Sequence, residues 1–339
     1  MKEVFTESRF TLPAMECRSI MSEPAPVRAD LHVHTRYSGW RHLRFIHPRD
    51  CYSEPKAVYD TALARGMRFV AITDHDAVEG ALRLLDEPGV DPARVIAGEE
   101  VEAVFPETGQ WVHVNVLGIT EGDHRRLQAL KADVRDVAAY CRERGLLYVL
   151  NHPFQSYLGQ KPLEAYIEDL LGLFAHVEGL NGGVPELQNR AVTELCRAAA
   201  ARGLELTQAG GSDAHRLGRV GAAWTQARAE TAEEFLREVR AGRCQVGGGT
   251  AGTLGLLRDV YGVVATYYGR LYSGRGEAPG LAAYALDAGF ATLSLPAALL
   301  GLPAAIVVGS QIRQKAVSRR VLARLFELDW PRLVAATGA

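Results

Sequence analysis

Histidine and acidic residues follow short apolar segments repeatedly along the first two thirds of the chain. The groups are His32 and His34; Asp74, His75 and Asp76; Glu99 and Glu100; His113; His152; and Asp213 and His215. Imidazole nitrogens and carboxylate oxygens are ligands that zinc and related divalent metals take in proteins. Unrelated surface residues would rarely recur after so many successive segments, so the pattern predicts a metal centre.

The apolar segments alternate with amphipathic ones, which predicts a parallel α/β fold. We expect strands at 29–34, 68–73, 94–101, 111–117, 146–150, 176–180, 204–209 and 222–226, and helices at 54–65, 121–144, 162–173, 186–202 and 231–241. In a barrel of parallel strands, side chains at the carboxyl ends converge on one mouth. His32 and His34 are two residues apart on a predicted strand, so both imidazoles share one face.

Five motifs resemble those of the PHP (polymerase and histidinol phosphatase) superfamily in order and spacing. They are Asp30-Leu31-His32-Val33-His34-Thr35, Ile72-Thr73-Asp74-His75, Gly98-Glu99-Glu100-Val101, Asn151-His152-Pro153 and Gly211-Ser212-Asp213-Ala214-His215. The resemblance covers residues 29–227. It implies a distorted seven-stranded β/α barrel of PHP type, two or three divalent metal ions (zinc, manganese or iron) and phosphoesterase activity.

The resemblance also implies ligands for two of the ions. Those of the first are His32, His34, Glu100 and Asp213, and those of the second are Glu100, which bridges, with His113 and His152. Glu100 is preferred to Glu99 because the glutamate of the family lies two residues after a glycine, here Gly98. Asn115 lies on the same predicted face as His113, but imidazole is the better ligand.

A third ion would take His75, His215 and one residue from the loop after the first strand. The family commonly has an aspartate after a tyrosine-serine pair, whereas Tyr37-Ser38 is followed here by Gly39. Counting back from the start of the next helix selects Asp50. His42 and His47 are alternatives in the same loop, and an empty third site is another. We expect catalysis to depend on Glu100, Asp213 and His215.

The predicted function is hydrolysis of a phosphoester by metal-activated water. Two or three dications neutralise phosphoryl oxygens, lower the pKa of a bridging water and stabilise the leaving oxygen. Asp74 and Asp76 either orient imidazoles or cap the next helix. Arg36 and Arg216 either hold a phosphate oxygen or are solvated. The alternatives are a non-catalytic metal-binding regulatory module and a nuclease.

Composition narrows the class of protein and of partner. At 47% hydrophobic and 23% charged residues, the chain has enough apolar material for a folded core. A net charge of -2 favours a small phosphorylated substrate over nucleic acid, which would need a local basic groove. Five widely spaced cysteines and a polar, acid-containing amino terminus favour a cytoplasmic protein.

Three regions are predicted: a leader at 1–28, the barrel at 29–248 and a helical extension at 249–339. The extension contains a run of 25 residues without charge, Ala288 to Ile312, long enough to span a bilayer. Pro296, Gly301 and Pro303 interrupt it, and basic residues follow. A single span would send that basic flank outwards, against the usual tendency. We therefore favour a helical hairpin projecting from the barrel; membrane association at the cytoplasmic face and packing or oligomerisation both stay open.

Overall fold

The computed structural model describes residues 24–38, 47–276, 278, 280–325 and 327–337, of which 335–337 are described by their backbone alone. The strands are β1 (Pro26–Asp30), β2 (Phe69–Ile72), β3 (Val95–Phe105), β4 (Gln110–Leu117), β5 (Leu147–Leu150), β6 (His176–Asn181), β7 (Thr207–Gly211), β8 (Ala223–Arg228) and β9 (Cys244–Gly248). They form one sheet in the order β7-β6-β5-β4-β3-β2-β1-β8-β9.

The sheet is a nearly closed α/β barrel. β1 to β3 are parallel, as are β5 to β7, whereas β4 and β8 run antiparallel to both neighbours. β7 meets β8 across the gap, because the Thr225 hydroxyl accepts from the backbone N–H of Gly210 at 2.7 Å and donates to its carbonyl at 3.0 Å. The barrel class is as predicted, but the described part has nine strands rather than seven. The Gly-ending CQVGG segment that forms β9 has no apolar run to signal a strand.

The helices are α1 (Pro55–Ala64), α2 (Glu79–Leu85), α3 (Glu121–Leu130), α4 (Val134–Arg144), α5 (Leu163–Leu173), α6 (Glu186–Ala200), α7 (Ala232–Arg240), α8 (Gly252–Tyr272), α9 (Leu281–Leu299), α10 (Leu302–Arg324) and α11 (Trp330–Thr337). β2 and β5 are buried throughout, as parallel strands covered on both faces should be. Phe69, Ile96 and Leu147, near the amino ends of their strands, belong to one buried apolar cluster with Phe235 of α7. That end of the barrel is therefore apolar.

Two predicted elements differ from the structure. The first strand ends at Asp30, and the segment with His32 and His34 joins the sheet through a bridge between Val33 and Ala214. The helix expected at 121–144 is two helices, because the side chain of Asp133 accepts from the N–H of Arg135 and so starts α4 at Val134, with three residues between it and the end of α3.

The extension is helical, as expected. The second half of α10 buries Gln314, Val317, Ser318 and Val321, and α10 packs against α6 and α8. α9 leaves most of its surface exposed. Among the described helices, α9 alone is long and apolar enough to cross a membrane by length and composition, with a mean hydropathy of 1.2.

Candidate metal centre

The structure brings every predicted ligand to one mouth of the barrel. His32 and His34 follow β1, His75 follows β2, Glu100 lies within β3, His113 lies within β4, His152 follows β5, Asp213 and His215 follow β7, and Asp50 lies in the loop before α1. Because β4 is antiparallel, His113 reaches the mouth from inside its strand, opposite Glu102. The convergence therefore does not depend on every strand being parallel.

The carboxylate of Glu100 lies at the centre of the cluster and is fully buried. Its Oε1 lies 3.1 Å from His113 Nδ1 and 3.1 Å from His152 Nε2. Its Oε2 lies 2.9 Å from His75 Nδ1 and 3.5 Å from His34 Nε2. The two oxygens thus face different imidazoles, as a bridging carboxylate must.

The residues predicted for a first ion form one tight group. The Nε2 atoms of His32 and His34 are 3.2 Å apart. Oδ1 of Asp213 lies 3.6 Å from the first of these nitrogens and 3.4 Å from the second. Glu100 Oε1 lies 3.4 Å from His32 Nε2, which completes a set of two imidazoles and two carboxylates.

The structure separates the residues between which the sequence left a choice. Glu99 points away from the mouth, because its Oε2 lies 2.8 Å from His124 Nδ1 of α3. Asn115 donates to the carbonyl of Leu31 at 3.1 Å. His113, not Asn115, therefore lies against Glu100.

Around the predicted third position, Asp50 Oδ2 lies 3.5 Å from His75 Nε2 and 4.0 Å from His215 Nε2. The Ser38 hydroxyl donates to the same oxygen at 3.2 Å. His47 instead lies against Asp287 of α9, at 3.3 Å. His42, the other alternative, lies outside the described residues.

The donor atoms fit divalent ions. Four overlapping groups of three have all their ligand atoms within 4.8 Å of one another. They are His32, His34 and Asp213; His32, Glu100 and His152; His75, Glu100 and His113; and His34, His75 and His215. Glu100 Oε2, Asp50 Oδ1 and both ring nitrogens of His113 are buried without a hydrogen bond. Buried polar atoms are rarely left so, and mixed imidazole and carboxylate donors suit zinc, manganese or iron.

The cluster is electrostatically suited to cations. Burial alone would raise the pKa of Glu100, but the surrounding histidines, His113 first, outweigh it and hold the pKa well below the usual range. Burial would lower the pKa of His113, but Glu100 outweighs it and raises the pKa to about 10. Burial, then the neighbouring His215 and His75, lower the pKa of His34 to about 3. The cluster therefore combines ionised carboxylates with imidazoles, a donor set that loses imidazole protons when it binds a metal ion.

Glu178 of β6 is a site residue that the sequence pattern missed. Its Oε1 lies 2.8 Å from His32 Nδ1, and its Oε2 accepts from the N–H of His152 at 3.0 Å and from Asn181 Nδ2 at 2.8 Å. A carboxylate accepts only, so Nδ1 of His32 carries the proton and Nε2 faces the cluster. The available signal was an acid inside the otherwise apolar strand HVEGL, away from any strand end.

Two side-chain amides hold the central carboxylates. Asn151 Nδ2 donates to Glu100 Oε1 at 2.8 Å, and Asn181 Nδ2 donates to Asp213 Oδ2 at 3.2 Å. Each amide thereby fixes the direction of one carboxylate.

Among the described residues, no imidazole forms a hydrogen bond with Asp74 or Asp76, and neither carboxylate caps α2, so neither predicted role fits them. Asp74 accepts from the backbone N–H of Thr35 at 2.5 Å and from its hydroxyl at 2.7 Å. Asp76 pairs with Lys131 at 2.6 Å. The N-cap of α2 is Val78, without a side-chain hydrogen bond. Asp74 therefore acts on the backbone that follows His34.

The two arginines proposed for phosphate have other contacts. Arg36 pairs with Glu54 at 2.8 Å. Arg216 donates to the carbonyl of Arg258 at 3.1 Å and lies over Gly262, where an added Cβ would meet the guanidinium at 2.1 Å. Arg216 thus fastens α8 to the barrel.

Three non-glycine residues of the described chain have positive φ, and all three lie at strand ends of this mouth. They are Asp76 (49°), His152 (26°) and Asp213 (51°). Non-glycine residues seldom adopt this region, and such strain collects at functional sites.

A family model described as PHP-associated matches residues 196–244, from the end of α6 to the first residue of β9. The resemblance to the PHP superfamily is thereby confirmed. The matched segment contains two residues of the cluster described above, Asp213 and His215. An uncharacterised protein from Methanocaldococcus jannaschii is 38% identical over 82 residues, which make up 22% of this chain and 44% of that protein. The aligned part thus spans less than half the length of this relative.

Three solved structures align with the chain at low sequence identity. PsfC from Pseudomonas syringae has 18% identity and a TM-score of 0.46, over 71% of this chain and 99% of that one. A Bifidobacterium adolescentis protein provisionally described as a metal-dependent phosphoesterase has 19% identity and a TM-score of 0.39, over 65% and 98%. An amidohydrolase from Chromobacterium violaceum, with bound sulfate and no metal, has 18% identity and a TM-score of 0.45, over 64% and 97%. At these values, no activity carries over to this chain.

Proposed function

We propose that the protein is a metal-dependent hydrolase that cleaves phosphate esters at a centre of two or three divalent ions. The observation that supports this most is the position of Glu100, whose two oxygens contact different imidazoles within 3.5 Å. A carboxylate shared in this way holds neighbouring ions close together. Such ions supply Lewis-acid stabilisation of phosphoryl oxygens and activation of water.

The residues that would hold the ions fall into three sets. The first is His32, His34, Glu100 and Asp213; the second is Glu100, His113 and His152; the third is Asp50, His75 and His215. The first set contains two carboxylates, and each of the other two sets contains one. Each set therefore combines neutral and anionic donors, which suits a divalent ion.

The remaining contacts orient these donors. Glu178 fixes the tautomer of His32, and the amides of Asn151 and Asn181 fix the two central carboxylates. His215 Nδ1 lies 3.1 Å from the carbonyl of Asp213, which leaves Nε2 directed towards Asp50. This pre-arranged network reduces the reorganisation that binding a substrate would otherwise require.

The difference in exposure among the cluster residues supports entry of a substrate from the side of His75 and His215. The side chains of His32 and His34 are 1% and 0% exposed, whereas those of His75 and His215 are 24% and 28% exposed. The predicted third set therefore forms the rim, and the first set forms the water-excluded floor. Together with the net charge of -2, this polar rim supports a small phosphorylated substrate over nucleic acid.

The test is Glu100→Gln assayed with Mn²⁺- or Zn²⁺-loaded protein against a panel of phosphomonoesters and phosphodiesters. Removing the shared charge should lower kcat/KM by about 1000-fold or more, since the ions lose their common ligand. Metal content, measured by mass spectrometry, should fall with it.

Glu99→Gln is the matched control, because Glu99 is the same residue type, adjacent in β3 and equally buried, but points to His124. It should keep activity within a few-fold of the wild type. Full activity in Glu100→Gln would refute the assignment. Tight metal binding by the wild type without hydrolysis of any phosphoester would support the regulatory alternative, and hydrolysis confined to polynucleotides would support the nuclease.

A further inference from the structure

The extension presents an apolar surface that the barrel does not cover. α9 and α10 form a hairpin whose turn is Leu300 and Gly301, the latter with φ of 97°. The exposed apolar side chains of the hairpin include Leu293 (84%), Leu299 (78%), Leu300 (89%), Ile306 (63%) and Ile312 (64%). Monomeric soluble proteins rarely expose so many large apolar side chains together.

The uncharged run is divided almost equally by the turn. It comprises 288–299 on the α9 arm and 302–312 on the α10 arm. At 1.5 Å per residue each arm is about 17 Å long. Half of a hydrocarbon core is about 15 Å thick. Each arm therefore fits one leaflet, with the turn near the centre of the bilayer.

The base of the hairpin is fixed to the barrel on both arms by charged residues. Asp287, 1% exposed, accepts from the backbone N–H of His47 at 2.9 Å. Arg313 donates to the carbonyls of Gln155 and Tyr157 at 2.8 and 2.9 Å. A complete span by α9 would have to pull Asp287 into lipid, so these anchors favour a hairpin that enters and leaves on the same side.

The polar groups within the α9 arm are compatible with lipid. The Thr292 hydroxyl donates to the carbonyl of Ala288, and the Ser294 hydroxyl donates to that of Ala291. In a bilayer, polar groups must be satisfied within the protein. These two side chains meet that requirement without water.

Basic residues follow the apolar arm of α10. Lys315 lies two residues beyond Arg313. Arg319 and Arg320 are exposed and lie about 10 Å beyond Arg313 along the helix axis. Anionic headgroups attract basic residues placed just outside the hydrocarbon region. The partner that matches both the length of the apolar arms and this charge is an anionic bilayer.

We propose that the hairpin of α9 and α10 inserts into one leaflet of an anionic membrane and anchors the barrel to its surface. The same loops that hold the base of the hairpin flank the metal centre, because His47 precedes Asp50 and Gln155 follows His152. The mouth of the barrel is thereby held close to the membrane surface. The anchoring itself does not depend on the proposed hydrolysis.

The test is flotation of the full chain with vesicles of phosphatidylcholine alone and of phosphatidylcholine mixed with phosphatidylglycerol. The wild type should float with the mixed vesicles. Leu300→Asp places a charge at the bilayer centre and should reduce the partition coefficient about 100-fold. Leu293→Asp, in the other arm, should also weaken binding. The Arg319→Glu, Arg320→Glu double variant should weaken binding to mixed vesicles about 10-fold or more.

Leu254→Asp is the matched control, because Leu254 is 83% exposed but lies on α8 outside the hairpin. It should bind like the wild type. Failure of the wild type to float with either vesicle would overturn the proposal, as would an equal loss in Leu254→Asp. A wild-type dimer that Leu300→Asp dissociates, without flotation of either protein, would show instead that a second copy covers the hairpin.

Discussion

Replacing Glu178 by glutamine tests how the site controls the tautomer of His32. The wild-type carboxylate accepts three hydrogen bonds, from His32 Nδ1, from the N–H of His152 and from Asn181. A glutamine has one accepting oxygen and one donating nitrogen. If the oxygen serves the two donors on one side, the NH₂ group faces His32 Nδ1, and the proton of the imidazole must move to Nε2.

That shift would block the nitrogen that lies 3.4 Å from Glu100 and 3.6 Å from Asp213. In the opposite orientation of the amide, the two donors face the NH₂ group and have no acceptor. Leaving these donors unsatisfied costs about 1–3 kcal/mol. That cost disfavours the second orientation, so the first arrangement should dominate and weaken metal binding by about 1.4–2.8 kcal/mol, which raises the Kd about 10–100-fold.

The assay is competition between metal-free protein and a chromophoric chelator for Mn²⁺ or Zn²⁺. Glu79→Gln is the control, since it removes the same charge from a side chain that is 56% exposed on α2. Wild-type affinity in Glu178→Gln, with an unchanged near-UV spectrum, would refute the tautomer argument. Weaker binding in the control as well would attribute the change to net charge.

Two further predictions concern the stability of the barrel. Asp123→Asn should lower the free energy of unfolding by about 1–2 kcal/mol at pH 7, because Asp123 completes a capping box with Thr120. Burial alone would raise the pKa of Asp123, but hydrogen bonds, those of Thr120 first, outweigh it and lower the pKa. The stabilisation is therefore present above pH of about 4 and is lost as the pH falls further, so urea titrations of variant and wild type should converge at low pH. Gly80→Ala should destabilise by about 1–3 kcal/mol, because its Cβ would lie 2.1 Å from Asp74 Oδ2. Gly122→Ala, with no contact closer than 3.6 Å, should be neutral or stabilising in the same thermal melts.

The sequence was informative where chemistry and periodicity coincide. The family resemblance selected Glu100 over Glu99 through its spacing from Gly98, and strand alternation directs the two carboxylates to opposite sides of β3. Asp50 was selected only by counting back from α1, yet it lies 3.5 Å from His75 Nε2. The metal-binding roles of these residues remain predictions.

Other features depend on contacts between distant segments and leave no local pattern. Glu178 was missed because it lies inside a strand. Its role depends on a contact with His32, which is 146 residues away in the sequence. The contact between Arg216 and α8 was missed because the residue that leaves room for the guanidinium is a glycine, Gly262. Strand β9 was missed because pairing with β8, not apolar content, creates it.

His152 and Asp213 each combine a positive φ, which costs stability, with a side chain that belongs to the cluster. Glycine would relax the backbone at either position but would remove a side chain of the cluster. Selection for thermal resistance alone, by directed evolution or consensus design, should therefore enrich glycine or asparagine at these positions. A laboratory lineage selected in that way would become more stable as it lost side chains of the proposed metal centre.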